Sequence, residues 1–192
     1  MFPKFVTSDT FWKYMIVNRS RYIDQLVRSK GNGLIKIITG LRRSGKSFLL
    51  KKLFRQHLLD EGVSEDHIII IDMESRKNKN FKDPDFLLDW VEKEMKDDST
   101  YYIIIDEVQE VNDFVEVLST LAVTEGTDVY VTGSNSRFLS SDVVTEFRGR
   151  GDEIHVWPLS FGEFMSVYEG SKEDGCVSSA LLETISGFSE VS

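Results

Sequence analysis

Residues 40–47, Gly-Leu-Arg-Arg-Ser-Gly-Lys-Ser, follow the pattern G-x-x-x-x-G-K-[ST], which dictates what must flank it. Such a loop holds phosphate only if a strand delivers it and a helix leaves it. Both neighbours fit. Leu34-Ile35-Lys36-Ile37-Ile38-Thr39 is short and β-branched, follows the breaker Ser29-Lys30-Gly31-Asn32-Gly33, and predicts a buried strand. Ser47 to Leu59 carries Leu49, Leu50, Leu53 and Phe54 at helical spacing. The glycines let the backbone curl so that several N–H groups face one anion. The helix then presents its positive end to the same anion. In that geometry Lys46 reaches the β- and γ-phosphates and Ser47 offers its hydroxyl to Mg²⁺. Gly40, Arg43, Ser44, Gly45 and Phe48 complete the candidate nucleotide-binding set. For Arg42 and Arg43, at the loop tip, phosphate contact and solvation are both open.

The rest of the chain alternates in the same way. A helical pattern runs from Phe11 to Arg28. Ile68 to Ile71 is an unbroken β-branched run, suited to a strand covered on both faces. Ser75 to Asn80 is polar and predicts a mobile loop. Asp83-Pro84 starts a helix that reaches about Met95, with Asp as cap and Pro in the first turn. Tyr101–Ile105 and Asp128–Thr132 predict strands, with a helix at about Asp113–Val123 between them. A short helix near Ser141–Phe147 leads to a fifth strand, Glu153–Trp157. Strands alternating with helices give an α/β fold, a three-layer α/β/α sandwich around a mostly parallel five-stranded sheet.

At 192 residues the chain suits one domain, at about 100–200 residues each, large enough to need no disulfide or metal staple. Its one cysteine, Cys176, has no internal partner, and the three histidines have no metal-ligand spacing. Lys4, Asp9 and Lys13 interrupt the apolar N-terminus, so no signal peptide is expected. No stretch has membrane-spanning length, and a cytoplasmic location is expected. With 23 basic against 32 acidic residues the net charge is -9, which disfavours direct nucleic-acid binding by this domain.

Tyr101-Tyr102-Ile103-Ile104-Ile105-Asp106-Glu107 places two acids at the carboxyl end of a buried strand, where open α/β sheets bind ligands. Asp106 suits a metal carboxylate and Glu107 suits a group that orients and polarises a water. Asp72, ending the earlier strand, is a second candidate metal acid, but Glu107 has no counterpart beside it, which favours Asp106. Thr132-Gly133-Ser134-Asn135-Ser136 follows the fourth strand. Asn135, with Ser134 next, could reach a γ-phosphate, or the segment could be a plain turn. Arg148 and Arg150 flank Gly149. Either could act as an arginine finger on a neighbouring subunit, supporting self-association, or pair with surface acids. Tyr22 or its neighbours could flank the adenine.

Taken in order, Gly40–Ser47, the strand ending Asp106-Glu107-Val108-Gln109, Thr132–Ser136, Phe147-Arg148-Gly149-Arg150 and Pro158-Leu159-Ser160-Phe161-Gly162-Glu163-Phe164 resemble the N-terminal ATPase domain of a group of AAA-superfamily proteins widespread in bacteria and archaea. The likeness covers about Arg19 to Tyr168. It implies a core in which an extra strand separates the phosphate-loop strand from the Asp-Glu strand, and the Ile68–Ile71 run fits that place. It also implies Lys46 and Ser47 as phosphate and Mg²⁺ ligands, Asp106 as metal carboxylate, Glu107 as catalytic acid/base and Asn135 as γ-phosphate sensor, with Arg150 the finger candidate. Residues 1–168 form the expected ATPase domain, with a helical segment over 1–30. Residues 169–192 form a tail, truncated relative to the family, in which Val177, Leu181, Ile185 and Phe188 could make one helix.

The expected activity is hydrolysis of Mg-ATP to ADP and phosphate. The alternative is a nucleotide-dependent switch, acting on an unidentified protein partner with little turnover. A small-molecule kinase would need an acceptor pocket and an Arg-rich lid, and neither is evident in the sequence. Adenine is expected over guanine from the resemblance, and because Asn78-Lys79-Asn80 ends in Phe81 rather than an acid.

Overall fold

The computed structural model describes residues 17–133, 147 and 149–163. Helix α1 (Ser20–Ser29) precedes strand β1 (Ile35–Thr39). After the loop, helix α2 spans residues 46–60, its middle section Leu49–Phe54 wound as a π-helix. Strand β2 (Ile68–Asp72), helix α3 (Pro84–Glu94), strand β3 (Tyr101–Asp106), helix α4 (Phe114–Val123), and strands β4 (Thr127–Thr132) and β5 (Gly151–His155) follow. Residues 18–160 form one compact unit.

The strands make a five-stranded sheet in the order β2-β3-β4-β1-β5, and every pairing among the described residues is parallel. Alternating side chains supply both faces. On one, Ile35, Ile37, Ile103, Ile105 and Val131 pack with Leu87 and Val91 of α3 and Leu118 of α4. On the other, Ile38, Ile104 and Tyr130 pack with Leu26 of α1 and Leu49, Leu50 and Phe54 of α2. The result is the expected three-layer sandwich, whose phosphate loop and Asp-Glu pair share the carboxyl edge of the sheet.

Four expectations require correction. The strand between β1 and β3 is β4, whereas the Ile68–Ile71 run, in β2, lies at the sheet edge beside β3. Its pattern is that of an edge strand, with Ile70 and Asp72 only partly buried. Periodicity reports burial but not lateral order, so it could not separate the two. The segment after Ser75 is no open loop: residues Arg76–Lys82 wind into 3₁₀ turns, tied down by Asn78 Nδ2 donating to Asp72 O at 2.8 Å. The helical run expected from Phe11 to Arg28 is interrupted before Ser20, because Val17–Arg19 are not helical and Arg19 takes a left-handed conformation (φ 43°); Phe11–Ile16 lie outside the described residues. Finally, β5 ends at His155 rather than Trp157. Its register with β1 runs from Ile35–Gly151 to Thr39–His155 and stops where β1 turns into the loop. Of the short helix near Ser141–Phe147, only Phe147 is described.

One helix start matches its sequence signal. Asp83 caps α3, accepting the Phe86 N–H at 2.9 Å, with Pro84 in the first turn. Where β5 enters the sheet, a Cβ at Gly151 would stand 2.7 Å from Ile37 Cδ1, so that side chain would have to shift.

Candidate functional site

Backbone conformation shapes the loop after β1. Gly40 (φ 133°) and Gly45 (φ 93°) lie where side chains are strained, and a Cβ at Gly40 would overlap the Val156 carbonyl oxygen. Arg43, also at positive φ (65°), is exposed with Leu41 and Arg42. Phe48, in the first turn of α2, is 43% exposed. Ser44 is buried, and its Oγ has no hydrogen-bond partner among the described residues.

Lys46 is 4% exposed and bends over the loop, donating to Gly40 O at 2.9 Å and Leu41 O at 3.0 Å. Burial pulls its pKa below the ordinary lysine value, while the negative charges of Glu107 and Asp106 oppose that shift. Both acceptors of the ammonium are loop carbonyls, so a bound anion would have to displace those bonds to engage it.

Asp106, 1% exposed, is the hub of the site. Its Oδ1 accepts Ser47 Oγ at 2.8 Å and Thr132 Oγ1 at 2.6 Å. Lys51 Nζ lies 2.6 Å from Oδ2 and donates to Asp72 Oδ2 at 2.9 Å. Burial works to lower the Lys51 pKa, but hydrogen bonds and charge from Asp106 and Asp72 outweigh it and hold the ammonium above its usual value. Because Ser47 gives its proton to Asp106, its oxygen lone pairs remain available to a cation. Among the described residues no group of three His, Cys, Asp or Glu side chains is placed to hold a metal. Ser47 and Asp106 are adjacent oxygen donors, the ligand type that suits Mg²⁺ with its other ligands from phosphate and water.

Glu107 stands in the left-handed region (φ 57°), turning the chain sharply after β3. Such a conformation costs about 1–3 kcal/mol for a residue with a side chain and is common at functional sites. Its N–H donates to Thr132 Oγ1 at 2.9 Å, its carboxylate accepts Gln109 Nε2 at 2.5 Å, and its carbonyl accepts the Glu110 N–H at 3.0 Å. Glu107 and Arg42 line one open cleft of ≈ 1120 Å³ with Glu74, Arg76, Lys79 and Gln109.

The structure thus brings Lys46, Ser47, Asp106 and Glu107 to one edge. It does not bring Arg150 there. Arg150 is exposed at the amino end of β5, its carbonyl accepting the Ile35 N–H at 2.8 Å. The five-residue strand separates it from the loop by roughly 16 Å, at about 3.3 Å per residue. Asn135, Ser134 and Arg148 lie outside the described residues. Tyr22, considered for the base, is 5% exposed beneath the Arg19 guanidinium and is a packing residue. Sequence reasoning missed Lys51, Arg19 and the Thr132 hydroxyl. Lys51 had a signal, being four residues after Ser47 and so on the same helix face. Arg19 had none, since its contacts are distant in sequence.

Among the described residues no helix is long and apolar enough to cross a membrane. The fold is similar to a chain in the structure of Drosophila ORC bound to DNA (TM-score 0.51, 13% identity), covering 78% of this chain and 97% of that one. It is also similar to C. elegans PCH-2 (TM-score 0.51, 16% identity), covering 79% of this chain and 46% of that one. In sequence, an uncharacterized protein of Haemophilus influenzae is 35% identical over 151 residues, covering 78% of this chain. One from Methanocaldococcus jannaschii is 29% identical over 153 residues, covering 80%. The chain spans 38% and 32% of the length of these two relatives. The family profile described as AAA domain matches residues 32–165. With the strand order and the loop geometry, that match identifies the chain as a member of the AAA domain family, whose fold is that of a P-loop ATPase.

Proposed function

We propose that this domain hydrolyses Mg-ATP to ADP and phosphate by attack of water. The observation that supports the reading best is the hydroxyl–carboxylate network joining Ser47, Asp106, Thr132 and the Glu107 backbone. Loop N–H groups and the Lys46 ammonium hold the β- and γ-phosphates, Lys46 exchanging its two loop carbonyls for phosphate oxygens. Mg²⁺, when bound, draws negative charge from the phosphate oxygens, with Ser47 and Asp106 as its protein-side ligands. Glu107, fixed by Thr132 and Gln109, accepts a proton from the water that it orients. Asn135 is the proposed γ-phosphate sensor. Arg150, remote from the loop of its own chain, is proposed to reach the site of a second copy, with Arg148 beside it in the contact. The proposed ATPase domain runs over residues 1–168, in a cytoplasmic protein.

Phosphate release from Mg-ATP, followed over a range of protein concentrations, tests the reading. Turnover per chain should rise with concentration, vanish in Lys46→Ala and Glu107→Gln, and leave ATP binding intact only in the latter. Unchanged turnover in Glu107→Gln would remove it from the mechanism.

A second reading, a nucleotide-dependent switch with little turnover, is favoured by Lys51, which already occupies Asp106 Oδ2. Under it, wild type binds ATP but releases no phosphate at any concentration.

A further inference from the structure

Arg19, 6% exposed, lies between three pieces of chain that are far apart in sequence. One guanidinium nitrogen donates to Ser44 O inside the phosphate loop, the other to Trp157 O just past β5, both at 2.6 Å. The guanidinium stacks over Tyr22 at 4.6 Å, and the Tyr22 hydroxyl accepts the Trp157 N–H at 3.1 Å. A Cβ at Gly45 would come within 3.3 Å of Arg19 Nη1, so the missing side chain permits the close approach.

The bond to Ser44 O has a consequence for the loop. A trans peptide unit is planar, and its C=O and N–H point in opposite directions. Holding the Ser44 carbonyl toward Arg19 therefore aims the Gly45 N–H the other way. That N–H immediately precedes Lys46 and belongs to the loop's anion-binding set.

We propose that Arg19 is a positioning residue for the phosphate loop. It turns the Ser44–Gly45 peptide so that its N–H meets bound phosphate, and through the same planar fork it ties the loop to Trp157. This rests on the reading of the loop as a nucleotide site. A lysine would keep the charge but present one nitrogen, able to hold one of the two carbonyls in place. Trp157, 60% exposed, is tied to Arg19 and Tyr22 through its backbone while its ring stands edge-on to His155 at 4.4 Å, so its emission reports on the link.

The test uses the full chain with Trp12→Phe and Trp90→Phe, leaving Trp157 as the one tryptophan of three. Mg-ADP affinity is measured by calorimetry and Trp157 emission by titration, in this background and with Arg19→Lys or Lys46→Ala added. The background protein should bind Mg-ADP with a change in emission. Arg19→Lys should keep a nucleotide-free melting point near the background value, bind roughly tenfold to a hundredfold more weakly, and lose the emission change at saturation. A purely structural role would lower the melting point and leave the emission change of the folded fraction intact. Background affinity and emission change in Arg19→Lys would overturn the proposal alone. Absence of binding in the background protein, matching Lys46→Ala, would overturn the nucleotide reading and this proposal with it. Should Arg19→Lys not fold, amide exchange in wild type decides. Mg-ADP should protect the Gly45 N–H, and unchanged exchange there would overturn the proposal.

Discussion

The Thr132 hydroxyl donates to Asp106 Oδ1 at 2.6 Å while accepting the Glu107 N–H at 2.9 Å, so one oxygen at the end of β4 orients both acids at the end of β3. Adjacency of β3 and β4 makes this possible, with Ile105 paired to Val131 one residue before each end. Valine has nearly the same shape but can neither donate nor accept. Thr132→Val should lose stability by about 1–3 kcal/mol, because a part-buried N–H and a buried carboxylate each lose a partner. Turnover should fall at least tenfold with Mg-ADP affinity changed far less, and Thr132→Ser should restore both. Phosphate release, calorimetry and urea denaturation check this; equal damage from the serine variant would assign Thr132 to packing.

Lys51 bridges Asp72 and Asp106, and its pKa in the fold lies above its unfolded value. The sign follows from linkage: a lysine that binds its proton more tightly when folded stabilises the fold below its unfolded pKa, and that contribution is lost as pH rises through the folded pKa. Lys51→Met should therefore melt lower than wild type at neutral pH, and the gap should narrow above about pH 10.4. Melting points from pH 7 to 11 test it, and a gap that stays constant across that range would sink the account.

How much of this was legible in the sequence differs by level. The loop, the Asp106-Glu107 pair and the β/α alternation could be read because each is local: a motif of contiguous residues, or a periodicity within one element. The place of β2 at the sheet edge could not, because an Ile-rich run reports burial and not its neighbour. Arg19 was hidden for a related reason. Its two carbonyl partners are 25 and 138 residues away, and an arginine before an amphipathic helix looks like any solvated cation. Arg150 stood as a finger candidate without its location, since its place at the amino end of β5 depends on the register with β1.

At the amino edge of the sheet, Lys36 and Asp128 form an ion pair, with side chains 0% and 3% exposed. Asp128 Oδ2 also accepts the Tyr130 hydroxyl at 2.9 Å and the Gly31 N–H at 3.0 Å. Burial and this neighbouring carboxylate push the Tyr130 hydroxyl well above the ordinary tyrosine range, so it stays a donor. Lys36→Met would leave a buried carboxylate without its cation, a change worth about 3–5 kcal/mol. Adding Asp128→Asn removes the stranded charge while keeping an acceptor for Tyr130. The double variant should therefore be more stable than Lys36→Met alone in urea denaturation, and additive losses would contradict the pairing.

Lys46 carries the opposite linkage sign to Lys51. Burial lowers its pKa, with Glu107 and Asp106 opposing that effect incompletely. A lysine whose folded pKa lies below its unfolded value costs the fold stability while charged, and that cost disappears as pH rises toward about 10.4. Methionine has similar length and no charge. Its substitution gives up the two loop hydrogen bonds, of which the one to Leu41 O is only partly buried and can pass to water. Loss of the buried bond to Gly40 O opposes the relief of charge, so the melting point of Lys46→Met relative to wild type should fall as pH rises toward about 10.4. With Mg-ADP at a hundredfold excess over its Kd, wild type should gain about 2.7 kcal/mol and the variant almost none. Melting curves of both proteins, with and without Mg-ADP at pH 7 and pH 10, supply every comparison. A variant destabilised without ligand yet fully shifted by it would show that Lys46 braces the loop and does not bind phosphate.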